Sequence, residues 1–380
     1  MRATGFLTPT PDRGLSRQKS IWSVLHLDPV LLMLLLLLVG GGLFVLYSGA
    51  DRDFGMIKAQ GIRMGVALVV MLVFAQLDPS IYRRWAPWLY LVGLVALVAV
   101  LLVGVGAKGA QRWLALPGLP RFQPSELMKL VVPIMAAWFL SRHFIPPRLT
   151  HVAVALAIVL IPMALIIKQP DLGTALLVGA AGLFVVFFAG ISWKLITAFL
   201  AMVSVAAPMM WFFVMRDYQK QRVLTLLDPQ SDPLGAGWNI IQSKTAIGSG
   251  GWSGKGWLQG TQSHLEFLPE SHTDFIVAVL AEEFGFVGML ALLGLYLLIL
   301  FRCMYIAVNA QDSFGRLVAG ALTMTFFIYI FVNIGMVSGL LPVVGVPLPL
   351  ISYGGTSSVT LMAAFGVLMS IHTHRRMITA

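Results

Sequence analysis

The run Leu265-Glu266-Phe267-Leu268-Pro269-Glu270-Ser271-His272-Thr273-Asp274-Phe275 gathers three carboxylates and an imidazole within nine residues, just before a long apolar stretch. A carboxylate held where water thins out is raised in pKa towards that of a usable general base. Asp274 meets that condition best, because the apolar run begins at it. The same place suits a helix N-cap, with Thr273 or Asp274 accepting from the first turn and offsetting the dipole. Both roles stay open at this level. His264, Glu266, Glu270 and His272 are metal-ligand types, but in no recognised spacing.

Further polar groups sit where they are costly. Glu126 and Lys129 fall inside an apolar run that opens Phe122-Gln123-Pro124-Ser125-Glu126. Their i, i+3 spacing puts them on one helix face, as an ion pair that fixes packing or as a substrate contact. Arg112 and Arg121 offer guanidinium forks suited to phosphate oxygens, or else snorkel as anchors. In Lys168-Gln169-Pro170-Asp171-Leu172-Gly173-Thr174, Asp171 is expected to cap the following helix rather than pair with Lys168. Adjacent Glu282 and Glu283 diverge by about 100° on a helix, so at least one needs its own partner inside the protein.

Two motif readings fail. Gly248-Ser249-Gly250-Gly251-Trp252-Ser253-Gly254-Lys255-Gly256 resembles a phosphate-binding P-loop, yet Gly256 follows the lysine where Ser or Thr is required. Its amides suit an anion nest, against plain loop flexibility as the simpler account. A hydrolytic triad around His272 lacks a serine nucleophile elbow.

These groups must be positioned by membrane spans. Of 380 residues 58% are apolar and only 11% charged, with mean hydropathy +0.87, whereas soluble domains carry roughly a quarter charged residues. The apolar residues cluster in blocks of bilayer length. Ten spans are expected, at 30–48, 63–77, 87–106, 124–140, 151–167, 173–191, 195–215, 274–300, 317–339 and 356–371. The expected class is therefore all-α and polytopic: a tail over 1–28, one membrane domain over 29–372, and a second tail over 373–380. Asp28-Pro29 marks the start of the first span, which is too long for a signal-peptide core and is expected to stay as an anchor.

Lys and Arg in short connectors and tails favour termini on the cytoplasmic side by 13 to 7, which puts the 57-residue loop 216–272 outside. That loop carries Trp238, Trp252 and Trp257 and is expected to lie back on the membrane surface. The first 20 residues read as a disordered basic tail near anionic lipid. The net charge of +10 reflects these connectors and lipid phosphates, not nucleic acid. A lone Cys303 excludes an internal disulfide and a Cys-rich metal centre.

From Asn333 to Ser357 the chain breaks helix repeatedly with Gly and Pro. Such backbone survives at membrane depth only when enclosed or lining a cavity, so 333–355 is expected to face the same surface as Asp274.

Phe122 to Lys129, Lys168 to Thr174, Arg222 to Gly260, Phe267 to Phe275 and Asn333 to Gly355 resemble the SEDS family (shape, elongation, division and sporulation). The likeness runs from about His26 to Arg375, and Pro342-Val343-Val344-Gly345-Val346-Pro347 is similar to its rod-shape rather than its division-type members. It implies a ten-span glycosyltransferase of the bacterial inner membrane that polymerises lipid II with inversion, for lateral wall growth. The implied partners are a class B penicillin-binding protein transpeptidase and other elongation-complex proteins, beside membrane lipid. By the same resemblance Asp274 is the catalytic base. Substrate contacts fall to Arg112, Gln123, Ser125, Glu126 and Lys129, and to Lys168, Asp171, Arg222, Glu270 and His272. The cofactor expectation is none, or a divalent cation (Mg or Mn) that shares the charge of the leaving diphosphate. A lipid II flippase, marked by essential polar groups at the midplane and inner side, and a non-catalytic scaffold for the transpeptidase are the rival readings.

Overall fold

The computed structural model describes residues 22, 25–107, 110–114, 122–213, 215, 217–232, 236–264 and 271–374. Glu266, Glu270, Arg121 and both chain ends lie outside the described residues.

A helix overlaps each of the ten expected spans: α1 Pro29–Gly49, α2 Phe54–Gln76, α3 Pro79–Val103, α4 Pro124–Leu140, α5 Leu149–Lys168, α6 Leu172–Phe188, α7 Trp193–Phe213, then α11 Ile276–Val308, α12 Ser313–Val337 and α13 Thr356–Thr373. Eight of them are long and apolar enough to cross a membrane. α4 and α6, at 17 residues each, are shorter. Between α7 and α11 run α8 Asp217–Leu227, a 3-10 turn Pro229–Ser231, α9 Ala236–Gly250 and α10 Thr261–His264, so much of the long loop is folded. A small antiparallel hairpin, β1 Val105–Ala107 and β2 Ala110–Trp113, leads towards α4.

Aspartates start many of these helices. Asp28 Oδ1 accepts from Leu31 N at 2.9 Å with Pro29 behind it, and Asp53, Asp78, Asp171 and Asp312 cap α2, α3, α6 and α12 likewise. Each supplies an acceptor to an orphan amide and a negative charge to the positive end of the dipole.

Packing pairs α2 with α13, α3 with α4, α5 with α6, and α11 with α12 and α1. Polar contacts gather at two opposite ends. One holds Asp28, bridged by Arg302 at 2.6 Å and by His372 at 3.4 Å, beside the stacked rings of His26 and His374. Burial and the neighbouring His374 lower the pKa of His26. The other end carries the hairpin, the α5–α6 turn, α8 to α10 and the irregular stretch 338–355 that joins α12 to α13.

α11 is broken at Gly285, whose φ of +62° and ψ of −158° leave the helical region. Its freed backbone groups bond instead to the glycine run: Lys255 N donates to Glu282 O and Gly256 N to Glu283 O, both at 3.0 Å, while Phe286 N donates to Gly251 O at 2.9 Å. A Cβ on Gly254 would lie 2.1 Å from Glu283 O, so the close approach requires glycine. The run is thus neither an anion nest nor a slack loop, since two of its amides already serve α11. Glu282 and Glu283, both buried, complete the clamp. Glu282 Oε1 accepts from Lys255 Nζ at 2.7 Å, Thr261 N at 2.8 Å and Gln262 N at 2.9 Å. Glu283 Oε1 accepts from Leu258 N at 3.1 Å and from Ser48 Oγ.

Candidate active site

Asp274 lies in the turn that precedes α11, half-buried. The N-cap position of α11 is Phe275, which makes no side-chain cap bond, so neither Thr273 nor Asp274 occupies the cap position itself. The turn is held by backbone and side-chain bonds from the 338–355 stretch and α12. Tyr353 N donates to His272 O at 2.9 Å. Asn333, fully buried on α12, donates through Nδ2 both to Asp274 O at 2.9 Å and to Val346 O at 2.7 Å. Two carbonyl acceptors fix which amide atom is nitrogen, because the flipped amide would face oxygen with oxygen. Gly345, at φ +73°, brings the loop against the carboxylate: a Cβ there would stand 3.4 Å from Asp274 Oδ2. His272 is half-buried, with its ring edge-on to Tyr353.

Gly345 follows Val344, and Val344 with Pro342 lines a cleft shared with Arg112, Asp171 and Arg222. Asp171 organises it. Its Oδ1 caps α6 through Thr174 N at 3.2 Å, while Oδ2 accepts from Gln123 Nε2 at 2.9 Å and lies 3.9 Å from Arg112 Nε. Arg112 also donates to Pro170 O. The capping expectation for Asp171 holds. Lys168 is exposed at the end of α5 and joins none of these bonds, so the loop does not bring it to the cleft. The cleft measures about 50 Å³, room for a few water molecules.

Below it, Lys129 Nζ lies 2.6 Å from Glu126 Oε1, donates to the Tyr329 hydroxyl and sits over the Tyr329 ring at 4.7 Å. The ion pair is therefore buried, with side chains 5% and 10% exposed. Burial of two charges is tolerable only with such additional partners. Ser125 Oγ and Glu126 Oε2 are buried without a hydrogen-bond partner among the described residues, two polar atoms that a ligand or water would complete. Glu270 lies outside the described residues. Among the described residues no group of three or more His, Cys, Asp or Glu converges as a metal site.

Sequence reading missed Asn333, Tyr329, Tyr353 and Arg63. Arg63 on α2 stands 4.4 Å from the centre of the Tyr353 ring. An arginine at the edge of an apolar run is the signal that could have found it. A larger apolar cavity of about 460 Å³ lies at the opposite end of the bundle, lined by Leu149, Phe187 and Ile191 among others, away from these polar groups.

Residues 27–377 match the family model for FtsW, RodA and SpoVE, described as a cell cycle protein. The chain is 55% identical over 362 residues to the peptidoglycan glycosyltransferase MrdB of Escherichia coli strain K12, covering 95% of this chain and 98% of that one. It is 38% identical over 357 residues to the probable peptidoglycan glycosyltransferase FtsW of Trichlorobacter lovleyi, covering 90% and 92%. Among solved structures, it resembles a chain from a study of how a peptidoglycan synthase complex coordinates polymerization and crosslinking, with TM-score 0.81 and 32% identity over 92% of this chain and 99% of that one. It also resembles the rod shape determining protein RodA of Thermus thermophilus, with TM-score 0.68 and 29% identity, covering 91% and 96%.

Proposed function

Because the chain belongs to the SEDS family of FtsW, RodA and SpoVE cell-cycle proteins, we propose that it polymerises lipid II into glycan strands, with Asp274 as the base. It is a multi-pass membrane protein and a peptidoglycan glycosyltransferase of the cell-shape branch. Lateral wall elongation is the process it serves.

The observation that carries the site assignment is the join between Asp274 and the cleft. The carboxylate abuts Gly345, and the neighbouring Val344 lines a cleft that contains two arginines. In the proposed step Asp274 takes the proton from the 4-hydroxyl of an acceptor GlcNAc. That oxygen attacks the anomeric carbon of MurNAc, the bond to the diphosphate breaks, and undecaprenyl diphosphate departs with the electron pair. Attack from the opposite face inverts the α linkage to β-1,4. Arg112 and Arg222 offset charge on the leaving diphosphate, and Lys129 adds positive charge below, held in place by Glu126 and Tyr329. A divalent cation, Mg or Mn, would share that charge if bound beside these cations.

Placement of this end outside the inner membrane rests on the distribution of Lys and Arg. A class B transpeptidase is the proposed partner, supported by the likeness to a chain from a peptidoglycan synthase complex; other elongation-complex proteins belong to the same proposal.

The test is reconstitution of the full chain with its transpeptidase in vesicles that carry labelled lipid II. Glycan polymer on a gel is the expected product. Translocation of lipid II without polymer would replace the enzyme by a flippase, and neither activity, with the transpeptidase still bound, would leave a scaffold.

A further inference from the structure

Arg63 is the tenth residue of α2, about 13 Å along the helix from its start. One turn earlier Gln60, buried, bonds to the same connector: its Nε2 donates to Ser352 O and Gly354 O, and its Oε1 accepts from Gly354 N. Gln60 thus fixes the height at which α2 meets 352–355. Arg63 then lies against that connector, half-buried, with its guanidinium over Tyr353 and its stem 3.4 Å from where a Cβ on Gly355 would be. Among the described residues no carboxylate pairs with it. An arginine ten residues into a membrane helix, with no carboxylate partner among the described residues, is costly to hold and suits an anionic ligand.

The position of Arg63 relative to Asp274 suggests the ligand. The turn that carries Asp274 meets the 342–355 connector at two places. At one end Pro342 and Val344 line the cleft of Arg112 and Arg222, with Gly345 against the carboxylate. At the other end Tyr353 binds His272 and carries Arg63. Two cationic stations therefore flank one carboxylate. Joining two lipid-linked sugars brings two diphosphates to the site in each cycle, and only one of them leaves.

Resting on the function proposed above, we propose that Arg63, backed by Tyr353 and with the His272 imidazole alongside, binds the second diphosphate, that of the polyprenyl-linked substrate which is retained. A planar fork held flat on an aromatic ring presents its edge donors to phosphate oxygens bidentately. The retained diphosphate keeps its charge throughout, so its contact is uniform binding and belongs in KM rather than kcat.

The experiment measures binding of undecaprenyl diphosphate to the full chain in neutral phosphatidylcholine nanodiscs, counted by native mass spectrometry. Wild type is expected to hold two equivalents and Arg63→Gln one, with the second weakened about tenfold or more, as loss of a charge-assisted bond implies. Arg63→Lys, which keeps charge but not the fork, is expected to fall between, and its melting temperature guards against a folding defect. Arg142→Gln, an arginine stacked on Trp138 in the α4–α5 turn, is the unchanged control. Two equivalents on Arg63→Gln would overturn the proposal. So would displacement of the Arg63-dependent equivalent by phosphatidylglycerol at equal concentration, which would make the site one for bulk anionic lipid. If wild type bound no undecaprenyl diphosphate at all, the lipid-linked substrate itself would be wrong, a failure separable from that of Arg63 because no polymerisation is read.

Discussion

Asn333→Leu removes a single amide group that ties the Asp274 turn to the 338–355 connector. Leucine keeps the branched skeleton of asparagine, but it donates to neither Asp274 O nor Val346 O, now bonded at 2.9 and 2.7 Å. Each buried carbonyl left without a donor costs about 1–3 kcal/mol. The fold, with most of its packing elsewhere, is expected to survive this. The catalytic effect comes from position: with the tie gone, the turn and the connector relax apart, and a shift of about 1 Å in a reacting group costs on the order of 100-fold in rate. The assay is the initial rate of glycan formation against lipid II concentration, beside a thermal melt. A kcat lowered about 100-fold with KM near that of wild type is the expected split. A kcat within about twofold of wild type, together with a lowered melting temperature, would make Asn333 a packing strut and refute the reasoning.

Glu282→Gln is expected to loosen the glycine run, since a neutral amide cannot match the carboxylate that now meets Lys255 Nζ, Thr261 N and Gln262 N; faster hydrogen exchange over 251–262 with a lowered melting temperature checks it. At the opposite end, the depressed pKa of His26 makes its protonation oppose the native state. Stability should therefore fall as pH drops below the ordinary 6.5 towards the lowered native value, and melting curves of His26→Asn should lose that dependence.

The spans were legible because bilayer thickness imposes block lengths on composition, and the aspartate caps at Asp28 and Asp171 were legible because their chemistry is local. α2 begins nine residues earlier than its apolar run suggests. Its first turns are polar, and Gln60 stays helical by bonding the connector 292 and 294 residues away. α8 and α9 were read as loop for a similar reason. α9 is glycine-rich, and its order comes from contacts such as Ser243 Oγ to Val337 O at 2.8 Å. Asp274, Arg112, Asp171 and Arg222 were singled out by residue type and motif, but the positioning partners Asn333, Tyr329 and Tyr353 look like ordinary span or loop residues until distant chain segments meet. Lys168 shows the converse, since proximity in sequence to Asp171 did not bring it to the cleft.

The most direct measurement is lipid II polymerisation by wild type and Asp274→Asn side by side, with expression and transpeptidase binding verified for both. Asparagine preserves size and hydrogen-bonding capacity while deleting basicity. No glycan polymer from Asp274→Asn is the predicted result, and a polymerisation rate equal to that of wild type would contradict the account.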